Sequence, residues 1–239
     1  GQGYIVHNAP VDGKADYERQ RAIRIFKFDA NGDSIVGNHT QIVRGGTHVQ
    51  KNPIWIEGPH LFRVGNYYYL MCAEGGTCDW HSEVIFRAKN PMGPWIECPN
   101  NPILTQRTGL DPKRPDIVTS TGHADIVQSK SGDWWAVFLG CRPYQDDFYN
   151  TGRDTYLLPV TWKNGWPEIL EKGKAMPTVL SKTEWQKKYN VADVNQMTGN
   201  FTYTDNFNDG KLNSRWMFLR NPSDFYKFAD DGLEINAKA

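Results

Sequence analysis

The feature that most constrains the fold is an internal echo of short strands. Glu57-Gly58-Pro59-His60-Leu61-Phe62 runs into a turn at Gly65-Asn66 and then Tyr67-Tyr68-Tyr69-Leu70-Met71. Gly122-His123-Ala124-Asp125-Ile126-Val127 likewise runs into Ser131-Gly132-Asp133 and then Trp134-Trp135-Ala136-Val137-Phe138-Leu139. Each unit reads as a small turn, a short strand, a glycine turn and an aromatic-rich strand. A third strand is expected at Glu83 to Ala88 and at Arg153 to Val160, and a fourth at Trp95-Ile96-Glu97 and Trp166-Pro167-Glu168-Ile169. Repetition of a four-stranded unit that begins on a short innermost strand is what propeller blades produce. The period exceeds the ~40–45 residues of common propeller repeats, which implies long connections. Two such units and part of another are legible, fewer than the roughly four that close the smallest ring. Upstream, Tyr4 to His7 and Ala22 to Asp29 read as strands. A turn at Asn31-Gly32-Asp33 then leads to Ile35-Val36-Gly37, and Gln41 to Arg44 follows.

Composition narrows the function classes. Lys plus Arg and Asp plus Glu both number 27 in 239 residues. A neutral chain of this kind argues against nucleic acid or an anionic membrane as the main partner. No apolar run reaches the ~18 residues needed to span a bilayer. The 9 Trp, 11 Tyr and 11 Phe suit either sugar-stacking clefts or β-sheet cores. Cys72, Cys78, Cys98 and Cys141 form no C-x-x-C pair, and no histidine cluster completes a metal knuckle. They read as free thiols, which favours a reducing compartment. Lys182 to Tyr189 is the one helix-like patch and reads as a short linker turn. Asn38-His39-Thr40 and Asn200-Phe201-Thr202 match the glycosylation acceptor pattern at a frequency that chance explains.

One carboxylate stands out. In Ile54-Trp55-Ile56-Glu57-Gly58-Pro59-His60, Glu57 is expected at the end of an apolar strand, directly before a Gly-Pro turn. A carboxyl shielded there from water would hold its proton, as a general acid must. The plainer alternative is a glutamate at an exposed strand end.

In order along the chain, Trp55-Ile56-Glu57-Gly58-Pro59-His60, Ala73-Glu74-Gly75-Gly76-Thr77, Thr121-Gly122-His123-Ala124-Asp125, Gly140-Cys141-Arg142-Pro143 and Thr151-Gly152-Arg153-Asp154-Thr155 with Leu158-Pro159-Val160 resemble glycoside hydrolase family 43. The similarity is greatest to its β-xylosidase and α-L-arabinofuranosidase group and runs from Tyr4 to about Leu170. It implies an all-β fold, part of a five-bladed β-propeller followed by the start of a β-sandwich. Residues 1–175 would be propeller, 176–200 linker and 201–239 sandwich. It also implies inverting hydrolysis of xylose- or arabinose-containing oligosaccharides by two carboxylates, with a third carboxylate tuning the acid. Carried onto this chain, Glu57 matches the general acid, and Thr77, His123 and Arg153 match residues that contact or orient the sugar. No cofactor is implied for the chemistry, although in related propellers His123 would lie near the axis, sometimes beside a water or Ca²⁺.

The family's catalytic base and its modulating aspartate both lie upstream of the stretch that resembles Tyr4-Ile5-Val6-His7-Asn8. Asp12, Asp16 and Asp29 stand in loop or hairpin contexts without the family's surroundings. The chain therefore reads as an internal segment of a protein of roughly 500 residues, its first blades supplied by the same or a complementary chain. On its own it is expected to be neither hydrolytic nor a stable monomer, because open blade faces would leave apolar area in water. From a different class, a non-catalytic carbohydrate-binding propeller would share the fold without needing a strand-end acid.

Overall fold

The computed structural model describes residues 2–47, 51–107, 109–130, 132–144, 148–149, 151–177, 179–180, 203–213, 215–218, 225–230 and 232–236. The chain divides into two compact units, Gly1–Trp185 and Gln186–Ala239.

Among the described residues, the first unit contains three antiparallel sheets, each built as a meander in chain order. Strands β1 (Gln2–Pro10), β2 (Arg21–Asp29) and β3 (Ser34–Arg44) form the first. Strands β4 (Glu57–Val64), β5 (Tyr67–Glu74), β6 (Ser82–Ala88) and β7 (Ile96–Glu97) form the second, with β8 (Leu104–Thr105) also paired to β6. The third is β9 (Thr119–Gln128), β10 (Trp134–Cys141), β11 (Arg153–Lys163) and β12 (Trp166–Glu168). The echo in the sequence is thus an echo of architecture, two four-strand meanders with the same internal order.

The burial pattern shows how the sheets stack. A strand half-covered by a core alternates between buried and exposed residues, as β9 and β11 do. Strands β5 and β6 are instead buried almost throughout, so the second sheet is covered on both faces. Leu70, Cys72, Val84 and Phe86 point to one side, where they meet Ile23 and Val43 of the first sheet and Ile56. Tyr69, Met71 and Ile85 point to the other, against Ala124, Ala136, Phe138, Leu158 and Val160 of the third sheet. Much of the aromatic load is spent in this second core. Phe62 stacks on Tyr69 at 5.6 Å, Tyr69 meets Trp162 edge-on at 5.3 Å, and its hydroxyl donates to Gly165 O at 2.6 Å. The far face of the third sheet leaves Val127, Val137 and Leu157 exposed.

Three local expectations need correction. Ile54-Trp55-Ile56 is not a strand, because Trp55 takes a left-handed φ of 59° that breaks any extended run. Glu57 therefore opens β4 rather than closing a strand. Gly58-Pro59 is not a turn either; it lies within β4, where the pairing with β5 shifts register between Glu57 and His60. Finally, the Ile35-Val36-Gly37 and Gln41–Arg44 segments are one strand, β3, kept continuous across two register shifts against β2.

In the second unit, β13 (Tyr226–Ala229) and β14 (Gly232–Ile235) form a hairpin. Phe207 packs on Trp216 at 5.3 Å, and the Trp216 indole donates to Asp205 at 2.9 Å. The helix-like patch 182–189 and the acceptor pattern at 200–202 lie outside the described residues; Asn38 to Thr40 sit on β3.

Ile85 is fully buried at the centre of the second core. Ile85→Ala should destabilise the first unit by about 2–5 kcal/mol, the usual cost of a large-to-small change at a packed site. Denaturant unfolding checks this, and a loss below ~1 kcal/mol would mean that the two sheets do not pack as described.

Candidate active site

The site is organised by two irregularities in β9. Along the β9–β10 ladder, Val137 pairs with Asp125, Leu139 with Gly122 and Cys141 with Thr119. His123 and Ala124 therefore face Phe138 alone, and Ser120 and Thr121 face Gly140 alone. Each is a bulge, with two residues opposite one. Ser120 and His123 adopt left-handed φ values of 55° and 53°, which non-glycine residues take only when their surroundings hold them there.

The holding groups come from the neighbouring sheet. His81, just before β6, points its Nδ1–H at Ser120 O across 2.9 Å. The Oε2 of Glu83 accepts the Ala124 N–H at 2.9 Å, and the His123 N–H is directed at the same carboxyl. Both side chains are essentially inaccessible to solvent, His81 at 1% and Glu83 at 0% exposure. Their remaining polar atoms, His81 Nε2 and Glu83 Oε1, have no hydrogen-bond partner among the described residues. Burial lowers the His81 pKa, and because the carbonyl at Ser120 requires a donor, the ring is neutral with its proton on Nδ1. Burial pushes the Glu83 carboxyl well above its ordinary value, reinforced by the charges of Asp125 and Glu74 and opposed by the two backbone N–H groups.

What these contacts hold is the imidazole of His123. A Cβ added to Gly58 would lie 2.5 Å from His123 Nε2, so the ring rests on the bare backbone directly after Glu57. Gly58 also has a φ of 55°. Only glycine serves there on both counts. Gly122 is similarly pressed, as a Cβ there would come within 3.0 Å of the His81 ring.

Glu57 itself is half-buried, not wrapped in apolar side chains as its sequence neighbours suggest. Ile56 turns into the core, while Trp55 lies partly in solvent and donates its indole N–H to Glu57 Oε2 at 2.8 Å. Glu57 and Thr77 line one open depression, together with Arg19, Ile54, Trp55 and Gly76. Arg153 opens β11 opposite Cys141 and is solvent-exposed. The charges of both Arg153 and Glu57 are felt at His81. Arg153 is not the partner of its neighbour Asp154, which is bonded instead by Arg142 at 2.6 Å. Glu57 and Thr77 thus share one depression and His123 lies against Gly58, whereas Arg153 is tied to them only through the charge it exerts at His81.

The three upstream aspartates are engaged elsewhere. Asp12 binds Arg24 at 2.6 Å and His39 at 3.1 Å, and the His39 hydrogen bond leads in holding its carboxyl below the usual range. Asp16 binds Arg44 and Gln20, and Asp29 accepts the Asn31 N–H in the β2–β3 turn. The four cysteines are free. Among the described residues, no group of three or more His, Cys, Asp or Glu is placed to hold a metal.

Sequence reasoning missed Trp55, Arg19, His81 and Glu83. Glu83 left one legible signal, a carboxylate directly before the apolar run Val84-Ile85-Phe86, where a buried charge without a role would be costly.

Comparison with known proteins identifies the family. The model of the glycosyl hydrolases family 43 matches residues 1–167. The chain belongs to glycosyl hydrolase family 43. It is 40% identical over 168 residues to a non-reducing end alpha-L-arabinofuranosidase of Bacteroides ovatus, covering 70% of this chain and 29% of that protein. It is 34% identical over 233 residues to a β-xylosidase of Bacillus subtilis, covering 93% and 40%. Among solved structures, a GH43_12 protein retrieved from capybara gut metagenome superposes with a TM-score of 0.70 at 39% identity, covering 100% of this chain and 44% of that one. A xylan beta-1,4-xylosidase from Bacillus halodurans gives 0.67 at 26% identity, covering 95% and 41%. The chain thus spans less than half the length of these family 43 relatives.

The buried carboxyl gives a pH-dependent prediction. With its folded pKa raised above the ordinary 4.5, Glu83 keeps a proton that the unfolded chain releases. Its contribution to stability is complete below 4.5 and is lost as pH rises toward and through the folded value. Glu83→Gln, which does not titrate, should match the parent in Tm near pH 4.5 and exceed it increasingly toward pH 8. Parallel curves across that range would show that Glu83 is ionised in the folded state.

Proposed function

We propose that this chain is part of an inverting glycoside hydrolase that releases xylose or arabinose from xylo-oligosaccharides or arabinoxylan. The observation that carries the reading is the Glu57 carboxyl at the head of β4, with the His123 ring seated on the very next residue. The family membership and the names of the relatives point the same way.

In this reading Glu57 is the general acid. It gives its proton to the glycosidic oxygen as the bond to the leaving group breaks, and the Trp55 indole at 2.8 Å orients the carboxyl. A second carboxylate, on a part of the protein upstream of this chain, activates a water on the opposite face of the sugar. The two carboxyls would stand ~6.5–9.5 Å apart to leave room for that water. His123 and the Thr77 hydroxyl hold sugar hydroxyls, and Arg153 offers a planar fork of donors to them.

The two four-strand meanders are then successive blades of a five-bladed propeller, and β1–β3 belong to a preceding blade. Val127, Val137 and Leu157, exposed on the outer face of the third sheet, form the surface on which a further blade would pack. The hairpin of the second unit would belong to a β-sandwich that follows. Such a hydrolase needs no cofactor for its chemistry, and a Ca²⁺ near the axis beside His123 belongs to this reading as an accessory ion.

In the full-length protein, Glu57→Ala should slow hydrolysis of substrates with poor leaving groups by about 10²–10⁴. An activated aryl glycoside needs little protonation and should suffer far less. Equal losses on the two would remove Glu57 from the role of acid. Arg153→Lys keeps the charge but not the fork, so hydrolysis of xylobiose or an arabinosyl substrate should fall by at least ~10-fold with an unchanged Tm. Parent-like turnover would count against sugar binding by Arg153.

A further inference from the structure

Beyond the residues that touch the sugar, the structure points to one that acts through another. We propose that Glu83 is a positioning residue of the reaction: by accepting from the backbone of the β9 bulge, it sets the His123 imidazole over Gly58, beside Glu57. This rests on the glycosidase reading above.

Glu83 is the second residue of β6, next to the apolar run Val84-Ile85-Phe86, at 0% exposure, where a leucine or methionine would fill the space without any polar requirement. Its carboxyl instead meets the one stretch of β9 that β10 cannot satisfy. Phe138 faces two residues there, and the N–H of the second, Ala124, goes to Glu83 Oε2 at 2.9 Å. The His123 N–H is directed at the same carboxyl, so both peptide groups flanking the His123 Cα are tied to it. That residue carries the left-handed φ of 53° which aims its ring at Gly58. Without the acceptor, the bulge gains by relaxing toward ordinary extended backbone, and the imidazole leaves its place. A displacement of about 1 Å in such a group is enough to cost ~10²-fold in rate. His81 braces the other bulge through Ser120 O, so the two side chains divide the work. Glu83 is the one whose bonds lie on His123 itself.

The charges that face Glu83 are known. Asp125 on β9 and Glu74 and Cys72 on β5 are the titratable groups coupled to it. None is a cation, so the carboxyl is not held there as half of an ion pair with any of them.

The test is a set of variants in the full-length enzyme, assayed on an aryl pentoside with Tm measured in parallel. Glu83→Gln keeps a carbonyl oxygen on the two N–H groups and should retain kcat/KM within about 3-fold. Glu83→Leu and Glu83→Asp, which remove or withdraw the acceptor, should lower kcat/KM by about 10–100-fold, partly through a higher KM, at temperatures where the variants remain folded. In a His123→Ala background, Glu83→Leu should cost less than about 2-fold more, since the group it positions is already gone. If Glu83→Leu does not fold, Glu83→Asp in the same cycle decides. Full additivity with His123→Ala, or parent-like kinetics for Glu83→Asp, would overturn the proposal and leave Glu83 a purely structural residue. Failure of the glycosidase reading would look different. The parent full-length protein would then hydrolyse no xyloside or arabinoside, while the coupling between Glu83 and His123 would still be read from Tm in the same cycle.

Discussion

The candidate site depends on a backbone that its own sheet cannot satisfy. Strand β9 bulges twice in six residues, and the polar groups freed by those bulges are buried, where leaving them unpaired costs about 1–3 kcal/mol each. The neighbouring sheet provides the partners, a neutral imidazole for the Ser120 carbonyl and a carboxyl for the Ala124 N–H. Remove this cross-sheet support and two left-handed residues lose the contacts that offset their strain of about 1–3 kcal/mol each. The irregular geometry at His123 is thus tied to the packing of β6 against β9.

That packing is itself set by alternation. Because β5 and β6 are covered on both faces, they fix the spacing of the first and third sheets. Cys72 and Val84 look one way and Met71 and Ile85 the other, so one strand pair serves two cores at once. His81 and Glu83 share the period-two register of Ile85 and therefore face β9 as it does. Their polar ends reach the bulges because the apolar residues beyond them have already brought the sheets together. In this sense the site is an extension of the core.

Much of this was legible in the sequence. Glycine turns followed by aromatic runs marked both meanders, and the third and fourth strands fell within one residue of their observed bounds except at the end of β11, which runs three residues further, to Lys163. The proximity of Glu57 to Thr77 and of His123 to Gly58 lies between ordered motifs that resemble a family. The setting of Glu57 was not legible. Ile54-Trp55-Ile56 has the composition of a strand, and nothing in it announces that Trp55 turns left-handed and throws the following residues onto new faces. Glu83 and His81 were missed for a related reason. Their meaning comes from bonds to a strand some forty residues away, and single-sequence periodicity reports only which face a residue occupies.

The central proposal is that the β6 braces hold His123 over Gly58 so that, in the full-length protein, it completes one sugar site with Glu57, Thr77 and Arg153. A crystal structure of the full-length protein with bound xylose or arabinose tests this most directly. The account predicts the sugar in the depression beside Trp55, with its hydroxyls in hydrogen-bond contact with His123 and Arg153. The glycosidic position should lie within reach of Glu57, and Glu83 should still be bonded to Ala124. A sugar bound elsewhere, or bound there with the His123 ring swung away from Gly58, would contradict it.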